Sequence, residues 1–191
     1  MPIAVPTFGA KGAVPPDVSV SDIRDLVVRP AKVGDARAMS ALINYYAADN
    51  VMLARGPQYL YQHIQDYIVV SLPSGEEETI VACGALHVLW EDLAEIRSIA
   101  VHPACQGLGL GKILVDTLVA RCENLGIPRA FVFTLVDDFF RKCGFRPIDR
   151  KDLPPVVWAE CSKCPKFYRC DEISMMRTLK AVADSAKAED N

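Results

Sequence analysis

Apolar residues follow two different periods along this chain, and each period predicts a different kind of element. Runs such as YIVVSL (67–72) and RAFVFTL (129–135) are rich in β-branched and aromatic residues, which is typical of strands. The segment KILVDTLVARCENLG (112–126) instead repeats apolar residues every three to four positions, as one face of a helix does. Over the whole chain the pattern predicts the order β α α β β β α β α β α β, a mixed α/β (α+β) fold.

The connections between the predicted strands indicate how they pair. The polar segment PSGEEE (73–78) is a hairpin signal, so the strands of the first half are predicted to be antiparallel. The 15-residue helix between AEIRSIAV (94–101) and RAFVFTL is long enough for a crossover to a parallel neighbour. We expect residues 25–180 to form the folded domain, residues 1–24 a mobile arm and residues 181–191 a frayed tail.

Composition narrows the class of protein. A chain of 191 residues that is 51% hydrophobic fits one globular domain. The net charge of −3 gives no basic excess for nucleic acid, and no apolar run approaches the ~18 residues of a membrane span. The first residues lack the pattern of a secretory signal. The odd number of cysteines, seven, predicts mostly free thiols and a cytoplasmic location.

The stretch HPACQGLGLGKIL (102–114) places glycine at three alternate positions directly before a predicted helix. Bare backbone at a helix N-terminus lets a phosphate approach amides that have no intrahelical partner. The spacing excludes a Walker loop, because Gln106 and Ile113 stand where Gly and Ser or Thr are needed. It also excludes a dinucleotide loop, because one residue instead of two separates the second and third glycines. A tight turn that only needs glycine's backbone freedom is the alternative.

The same stretch fits Q/R-x-x-G-x-G/A, the pyrophosphate loop of the GNAT N-acetyltransferases, and follows a V-x-P match at 101–103. Five segments in order, NVMLARG, AEIRSIAVHP, ARCENLGIPRAFVFTL, FFRKCGF and IDRKDLPP, resemble the acetyltransferase domain of short N-acetylglutamate synthases. The resemblance covers residues 26–180. It implies the GNAT fold, a mostly antiparallel sheet with a splayed central strand pair flanked by helices. It also implies acetyl transfer from acetyl-CoA to the α-amine of L-glutamate, the first step toward arginine.

The resemblance also implies where acetyl-CoA binds. Amides from about Gln106 to Lys112 would hold the pyrophosphate, and the pantetheine would lie beside the splayed strand. The implied cofactor-binding residues are Ile99, Ala100, Val101, Gln106, Gly107, Leu108, Gly109, Leu110, Gly111, Lys112 and Phe140.

Acetylation of an amine requires removal of a proton from the substrate ammonium. Glu95, on the strand before the loop, resembles the family's general base, and a plain ion pair with Arg97 is the alternative. The resemblance implies a backbone group that receives the amine at Ser98 and a hydroxyl near the amine at Thr134. Phe140 stands where many GNAT enzymes carry a tyrosine general acid, so the thiolate is expected to leave without an acid.

A dicarboxylic acceptor requires cations, and arginine is suited to bidentate capture of a carboxylate. Arg55 matches the family's carboxylate-binding arginine, and Arg169 matches a second one near the C terminus. Lys166 is the reserve for that second position. The alternative for each is a solvated surface side chain.

Three cysteines in CSKCPKFYRC, Cys161, Cys164 and Cys170, have the spacing of a metal site. Zinc or another metal held there would brace the segment that carries Arg169. The fourth ligand would come from Asp171, Cys143 or His102. A reversible disulfide between Cys161 and Cys164, or simple packing of small side chains, are the alternatives.

Other functions stay open on the sequence alone. The chain could acetylate glutamine or another small amine, act as a non-catalytic acetyl-CoA sensor, or carry a metal or redox module. We expect a small-molecule amino-acid substrate and no nucleic-acid or membrane partner. A homodimer is expected only because GNAT domains often form dimers.

Overall fold

The computed structural model describes residues 26–74, 77–162, 164 and 166–179. The predicted arm (1–24) and tail (181–191) lie outside the described residues. The strands are β1 Val27–Pro30, β2 Tyr67–Ser74, β3 Glu77–Trp90, β4 Leu93–Val101, β5 Arg129–Thr134, β6 Arg146–Pro147 and β7 Ile173–Thr178. The α-helices are α1 Ala36–Ala47, α2 Pro57–Gln62, α3 Leu110–Asn124, α4 Asp137–Lys142 and α5 Trp158–Cys161. The predicted order of elements is confirmed.

The seven strands form one sheet in the order β1-β2-β3-β4-β5-β7-β6. All neighbours are antiparallel except β4 and β5, which the α3 crossover makes parallel, as predicted. The strand that follows α4 is only two residues long, Arg146–Pro147. Pro147 has no amide hydrogen to donate to a ladder, and residues 150–152 turn into a short 3-10 helix instead.

The predicted splay of the central strand pair is confirmed in the pairing of β4 with β5. The two strands pair only at Ala94 with Ala130 and at Glu95 with Phe131. Beyond Glu95, β4 runs on to Val101 and β5 to Thr134 without pairing further. A gap therefore opens in the middle of the sheet.

A bulge in β4 adjoins this gap. Cys83 pairs with Ala100 and Ala85 with Arg97, so two residues of β4, Ser98 and Ile99, oppose one residue of β3. Ser98 has a φ of 54°, in the left-handed region that is uncommon for a residue other than glycine. The bulge takes the main-chain groups of these two residues out of the regular ladder.

Helices cover both faces of the sheet and divide its core. On one face α3 packs through Leu114 and Leu118 against even-numbered residues such as Leu86 and Ile96. On the other face α1 and α2 pack against odd-numbered residues such as Ala85. Because side chains alternate along a strand, His87, Glu95 and Arg97 lie on the α1–α2 face.

All seven cysteines are described, and all are free thiols. The four that the sequence places in apolar segments, Cys83, Cys105, Cys122 and Cys143, are buried. Within the described part of the chain, no helix has both the length and the apolarity needed to cross a bilayer.

Candidate active site

The three glycines at the start of α3 serve two different purposes: Gly107 and Gly109 precede the helix, and Gly111 lies in its first turn. Gly107 and Gly109 have φ angles of 79° and 83°, which favour glycine, and a Cβ at either position would meet no atom within 4 Å. A Cβ at Gly111 would instead lie 3.3 Å from the Phe139 ring, so this glycine allows α3 to pack closely against α4. The loop thus turns through left-handed backbone and presents an open outer surface.

The N-terminus of α3 presents backbone donors at this open surface. The Ile113 amide donates to the Gly109 carbonyl at 3.1 Å, which is the first bond of the helix. The amides of Leu110, Gly111 and Lys112 precede it and therefore have no acceptor within the helix. Together with the helix dipole, they make a site suited to an anion.

Tyr46 of α1 braces the two ends of the loop. Its hydroxyl donates to the carbonyl of Val101 at the end of β4, and Gln106 Nε2 lies 2.7 Å from the same oxygen and donates to it. Burial raises the pKa of Tyr46 to about 12, so the hydroxyl keeps its proton at neutral pH. Sequence reasoning missed Tyr46, since nothing local marks its contact with a loop 55 or more residues away.

A positively charged cleft of about 330 Å³ lies beside this end of α3. It is lined by Lys112, Asp116, Lys142, Cys143, Gly144 and Arg177. Lys112 is paired with Asp116, whereas Arg177 donates to the Cys143 carbonyl at 2.8 Å. The three cations favour a phosphate-bearing group next to the loop.

Glu95 lies where β4 and β5 separate and forms an ion pair with Arg97 at 3.6 Å. The expected alternative, a pair with Arg97, is therefore present, but the pair is not on an open surface. The side chains are only 18% and 7% exposed. Arg97 also donates to the Tyr59 hydroxyl at 2.6 Å. Pairing alone does not assign Glu95 a purely structural role, because the carboxylate still borders the gap.

Arg55 is half-buried, unlike a solvated surface arginine. Its amide donates to Asn44 Oδ1 at 3.0 Å and its carbonyl accepts from the Ser40 hydroxyl at 2.8 Å, so α1 fixes its backbone. Its guanidinium carbon lies 4.1 Å from the centroid of the Tyr59 ring, in cation–π contact. Tyr59 thus joins Arg55 to Arg97. Sequence reasoning missed Tyr59, although it follows Arg55 by four residues.

Ser98 and Thr134, the other two predicted catalytic residues, lie on different strands and in different environments. Ser98 is in the β4 bulge, and its Oγ is 3.4 Å from the hydroxyl of buried Tyr67. Thr134 ends β5 and accepts the Val136 amide on Oγ1 at 2.9 Å. It alternates with Phe133 and therefore lies on the α3 face, across the sheet from Glu95.

The two candidates for binding a second carboxylate, Arg169 and Lys166, lie on the segment between α5 and β7. Arg169 is exposed in the 3-10 turn Phe167–Arg169. Lys166 Nζ pairs with Asp171 at 3.1 Å.

Phe140, a predicted cofactor contact, lies in the core of the domain. Phe140 is 6% exposed and packs inside the core, with its ring centroid 5.6 Å from that of Phe145. Its neighbour Phe139 is the ring beside Gly111. Residues adjacent in a helix point in different directions, and the pattern FF alone does not show which one faces the loop.

The predicted cysteine metal site finds no support among the described residues. The sulfurs of Cys161, Cys164 and Cys170 are all described and do not gather within ligand distance of one another. Cys170 Sγ instead lies 3.2 Å from an Arg150 nitrogen. Burial, and to a smaller extent the nearby Glu95 carboxylate, raises the pKa of Cys161 to about 11.

The proposed fourth ligands are engaged elsewhere. Asp171 pairs with Lys166, and buried His102 accepts the Ala104 amide on Nδ1 at 3.2 Å. Cys143 is buried at the end of α4.

Comparison with known proteins agrees with this geometry. The profile of the acetyltransferase (GNAT) family matches residues 39–145. An uncharacterized N-acetyltransferase of Chlorobaculum tepidum is 35% identical over 155 residues, which cover 81% of this chain and 97% of that protein. An amino-acid acetyltransferase of Mycobacterium tuberculosis is 38% identical over 134 residues, covering 70% of this chain and 76% of that protein.

Solved structures give the same result. The Mycobacterium tuberculosis protein Rv2747, crystallised with CoA and NLQ, superposes with a TM-score of 0.69 at 33% identity, covering 81% of this chain and 99% of that one. The N-acetylglutamate synthase of Neisseria gonorrhoeae, crystallised with coenzyme A and N-acetyl-glutamate, gives a TM-score of 0.72 at 24% identity and supports the fold. This chain covers 81% of its own length there and 35% of the synthase. The chain therefore belongs to the acetyltransferase (GNAT) family and is an acetyl-CoA-dependent N-acetyltransferase.

Proposed function

We propose that this enzyme transfers the acetyl group of acetyl-CoA to the α-amine of L-glutamate and so supplies N-acetylglutamate for arginine biosynthesis in the cytoplasm. The observation that carries the proposal is one connected group on the α1–α2 face. Arg55 stacks on Tyr59, Tyr59 binds Arg97, and Arg97 pairs with Glu95 at the mouth of the gap. A carboxylate-binding cation and a general base are thus held on one surface.

Acetyl-CoA is proposed to lie across the loop and the gap. The amides between Gln106 and Lys112 bind the diphosphate of acetyl-CoA. The cleft with Lys142 and Arg177 favours the other phosphate of the cofactor, the one on its ribose. Ile99, Ala100 and Val101 line the gap along β4, where the absence of pairing to β5 leaves room for the pantetheine.

The reaction needs a proton acceptor and a donor to the developing oxyanion. Glu95, directly or through water, takes the proton of the acceptor ammonium, so that the free amine attacks the thioester carbon. The carbon–sulfur bond then breaks, CoA leaves as a thiolate whose pKa is close to that of cysteine, ~8.5, and the second proton of the attacking nitrogen passes to that thiolate directly or through water. The bulge at Ser98 frees main-chain groups for the amine and the carbonyl oxygen. Thr134 retains a hydroxyl proton and can act only from the α3 side of the gap.

Selection of the acceptor is proposed to depend on its carboxylates. Arg55 binds one carboxylate through its guanidinium fork. For the second carboxylate, Arg169 and Lys166 remain proposals, and buried Arg97 joins them because it already lies beside Glu95. The relatives named amino-acid acetyltransferase support an amino acid as the acceptor, and the N-acetyl-glutamate bound in the solved synthase makes glutamate the first candidate.

The experiment is a free-thiol release assay with acetyl-CoA across the common amino acids. We expect the highest kcat/KM with L-glutamate, lower values with aspartate and glutamine, and little turnover of neutral or aromatic amino acids. Turnover restricted to neutral or aromatic amines would contradict the glutamate proposal. Saturable acetyl-CoA binding without thiol release from any amine would indicate a sensor instead of an enzyme acting on amino acids.

A further inference from the structure

Two histidines and an aspartate meet on the α1–α2 face of the sheet. His63 directly follows α2, Asp66 ends the 3-10 turn Ile64–Asp66, and His87 lies on β3. Nδ1 of His87 is 3.1 Å from Oδ2 of Asp66, and Nδ1 of His63 is 3.5 Å from the same oxygen. One potential ligand atom from each residue lies within 4.8 Å of the other two. None of the steps proposed above for acetyl transfer uses these side chains.

The donor set matches the ligand preference of zinc and its neighbours. Two imidazole nitrogens and one carboxylate oxygen suit Zn²⁺, whereas Ca²⁺ and Mg²⁺ are bound almost entirely by oxygen. Tetrahedral bonds of about 2.0–2.1 Å place neighbouring ligand atoms about 3.3 Å apart. The two separations in this cluster, 3.1 and 3.5 Å, lie on either side of that value. Three protein ligands leave a fourth position for water.

The surroundings hold the ligands in place and leave them accessible. The Tyr59 ring lies 4.3 Å from the His63 ring, and the His63 and His87 rings meet edge to face at 5.7 Å. The three side chains are 24–31% exposed, so an ion can enter from solvent. The nearby charge of Arg97 is offset by Glu95.

We infer that His63, Asp66 and His87 form a binding site for one divalent transition-metal ion, with zinc as the expected occupant. The ion fixes the end of α2 against β3. It thereby steadies Tyr59, which contacts both Arg55 and Arg97, and it lies beside Glu95, which His87 faces across the β3–β4 ladder. The inference does not rest on glutamate as the acceptor, because metal binding is measured without any substrate.

The competing explanation is a hydrogen-bonded cluster in which both imidazoles donate to Asp66 without an ion. Titration of the full chain, stripped of metal with a chelator, with Co²⁺ separates the two. We expect one equivalent of Co²⁺ to bind with visible d–d absorption, no thiolate charge-transfer band, and displacement by Zn²⁺. A stoichiometric rise in Tm with Zn²⁺ should accompany binding. Absence of stoichiometric binding to the wild-type chain would overturn the site.

Variants locate the ion. Asp66→Asn, His63→Gln and His87→Gln, made separately, should each weaken Co²⁺ affinity by about tenfold or more. Asp138→Asn, at an exposed aspartate of α4, is the matched control and should bind like wild type. A Cys161→Ser/Cys164→Ser variant should also retain the site. Loss of binding in the cysteine variant, or wild-type affinity in all three ligand variants, would contradict the assignment. Tm values in chelator show whether each variant is folded.

Discussion

Tyr59 is the residue that organises the proposed acceptor site. Its ring supports Arg55 at 4.1 Å, and its hydroxyl accepts from Arg97 at 2.6 Å. An arginine held this way loses less side-chain entropy on binding a carboxylate than a freely moving one. The site therefore combines a pre-positioned guanidinium with a carboxylate, Glu95, that can accept a proton.

Arg55→Ala should raise the KM for the amino-acid acceptor by about 10- to 100-fold, because hydrogen bonds between charged groups contribute about 1.5–3 kcal/mol. The KM for acetyl-CoA should change little. Arg55→Lys keeps the charge but loses the bidentate fork, so an intermediate effect is expected. Arg37→Ala, at an exposed arginine of α1, serves as the control. Equal effects on both substrates would show that Arg55 does not bind the acceptor carboxylate.

Glu95→Gln should lower kcat by about 100-fold or more, since the amide cannot take the ammonium proton. Steady-state kinetics should show an acetyl-CoA KM near the wild-type value. Glu91→Gln, at an exposed carboxylate in the β3–β4 turn, should be unaffected. A kcat within about threefold of wild type, together with a lower Tm, would leave Glu95 as a structural partner of Arg97 only.

Elements, rather than single residues, create the proposed cofactor site. The separation of β4 from β5 opens the gap. The loop, in which Gly107 and Gly109 have positive φ angles, leads into α3, whose first amides have no acceptor within the helix. At the other edge of the sheet, Arg29 of β1 binds Asp35 before α1 at 2.7 Å and Glu78 of β3 at 2.6 Å. This network ties the start of α1, the helix that carries Tyr46, to the sheet.

Asp35→Asn tests that network through pH. Burial alone would raise the pKa of Asp35, but hydrogen bonds from Arg29 and the Lys32 amide outweigh it and hold the pKa below its usual value. The stabilisation is therefore complete above the unfolded pKa, ~3.9, and is lost as pH falls through the lower folded value. Asparagine can still accept the Lys32 amide, so the substitution removes mainly the charge.

In chemical denaturation at neutral pH, Asp35→Asn should lower the free energy of unfolding by about 1 kcal/mol. The difference from wild type should begin to shrink below about pH 4 and should disappear only once the pH has fallen below the lowered folded pKa of Asp35, where its carboxyl is protonated. Glu91→Gln provides the control, because the Glu91 carboxylate forms no ion pair with the described residues. A difference that stays constant with pH would mean that the Arg29–Asp35 pair contributes no charge-dependent stability.

The order of elements was predictable because apolar periodicity reports burial, and the long strands and helices, such as β2, β3, β4, α1 and α3, each bury one or both faces. The crossover from β4 to β5 followed from helix length. The shortness of β6 is caused by Pro147, which has no amide hydrogen for a ladder. The pattern of apolar residues does not show this effect. The bulge at Ser98 and the contacts of Tyr46 and Tyr59 could not be predicted, since they depend on strand register and on residues distant in sequence.

At the scale of the whole molecule, the sheet separates the two proposed substrates. The glycine-rich loop proposed to bind the diphosphate and the charged cleft lie at the N-terminus of α3, whereas Arg55, Tyr59 and Glu95 lie on the α1–α2 face. The gap between β4 and β5 joins the two sides. In the proposed arrangement, an acetyl group carried through this gap would reach the amine beside Glu95 without either substrate crossing the core.

A crystal structure of the enzyme with bound CoA tests this arrangement most directly. The account predicts diphosphate oxygens within hydrogen-bonding distance of main-chain amides between Gln106 and Lys112, with the thiol end in the gap between β4 and β5 near Glu95. A diphosphate bound elsewhere, with the α3 amides satisfied by the protein itself, would contradict it.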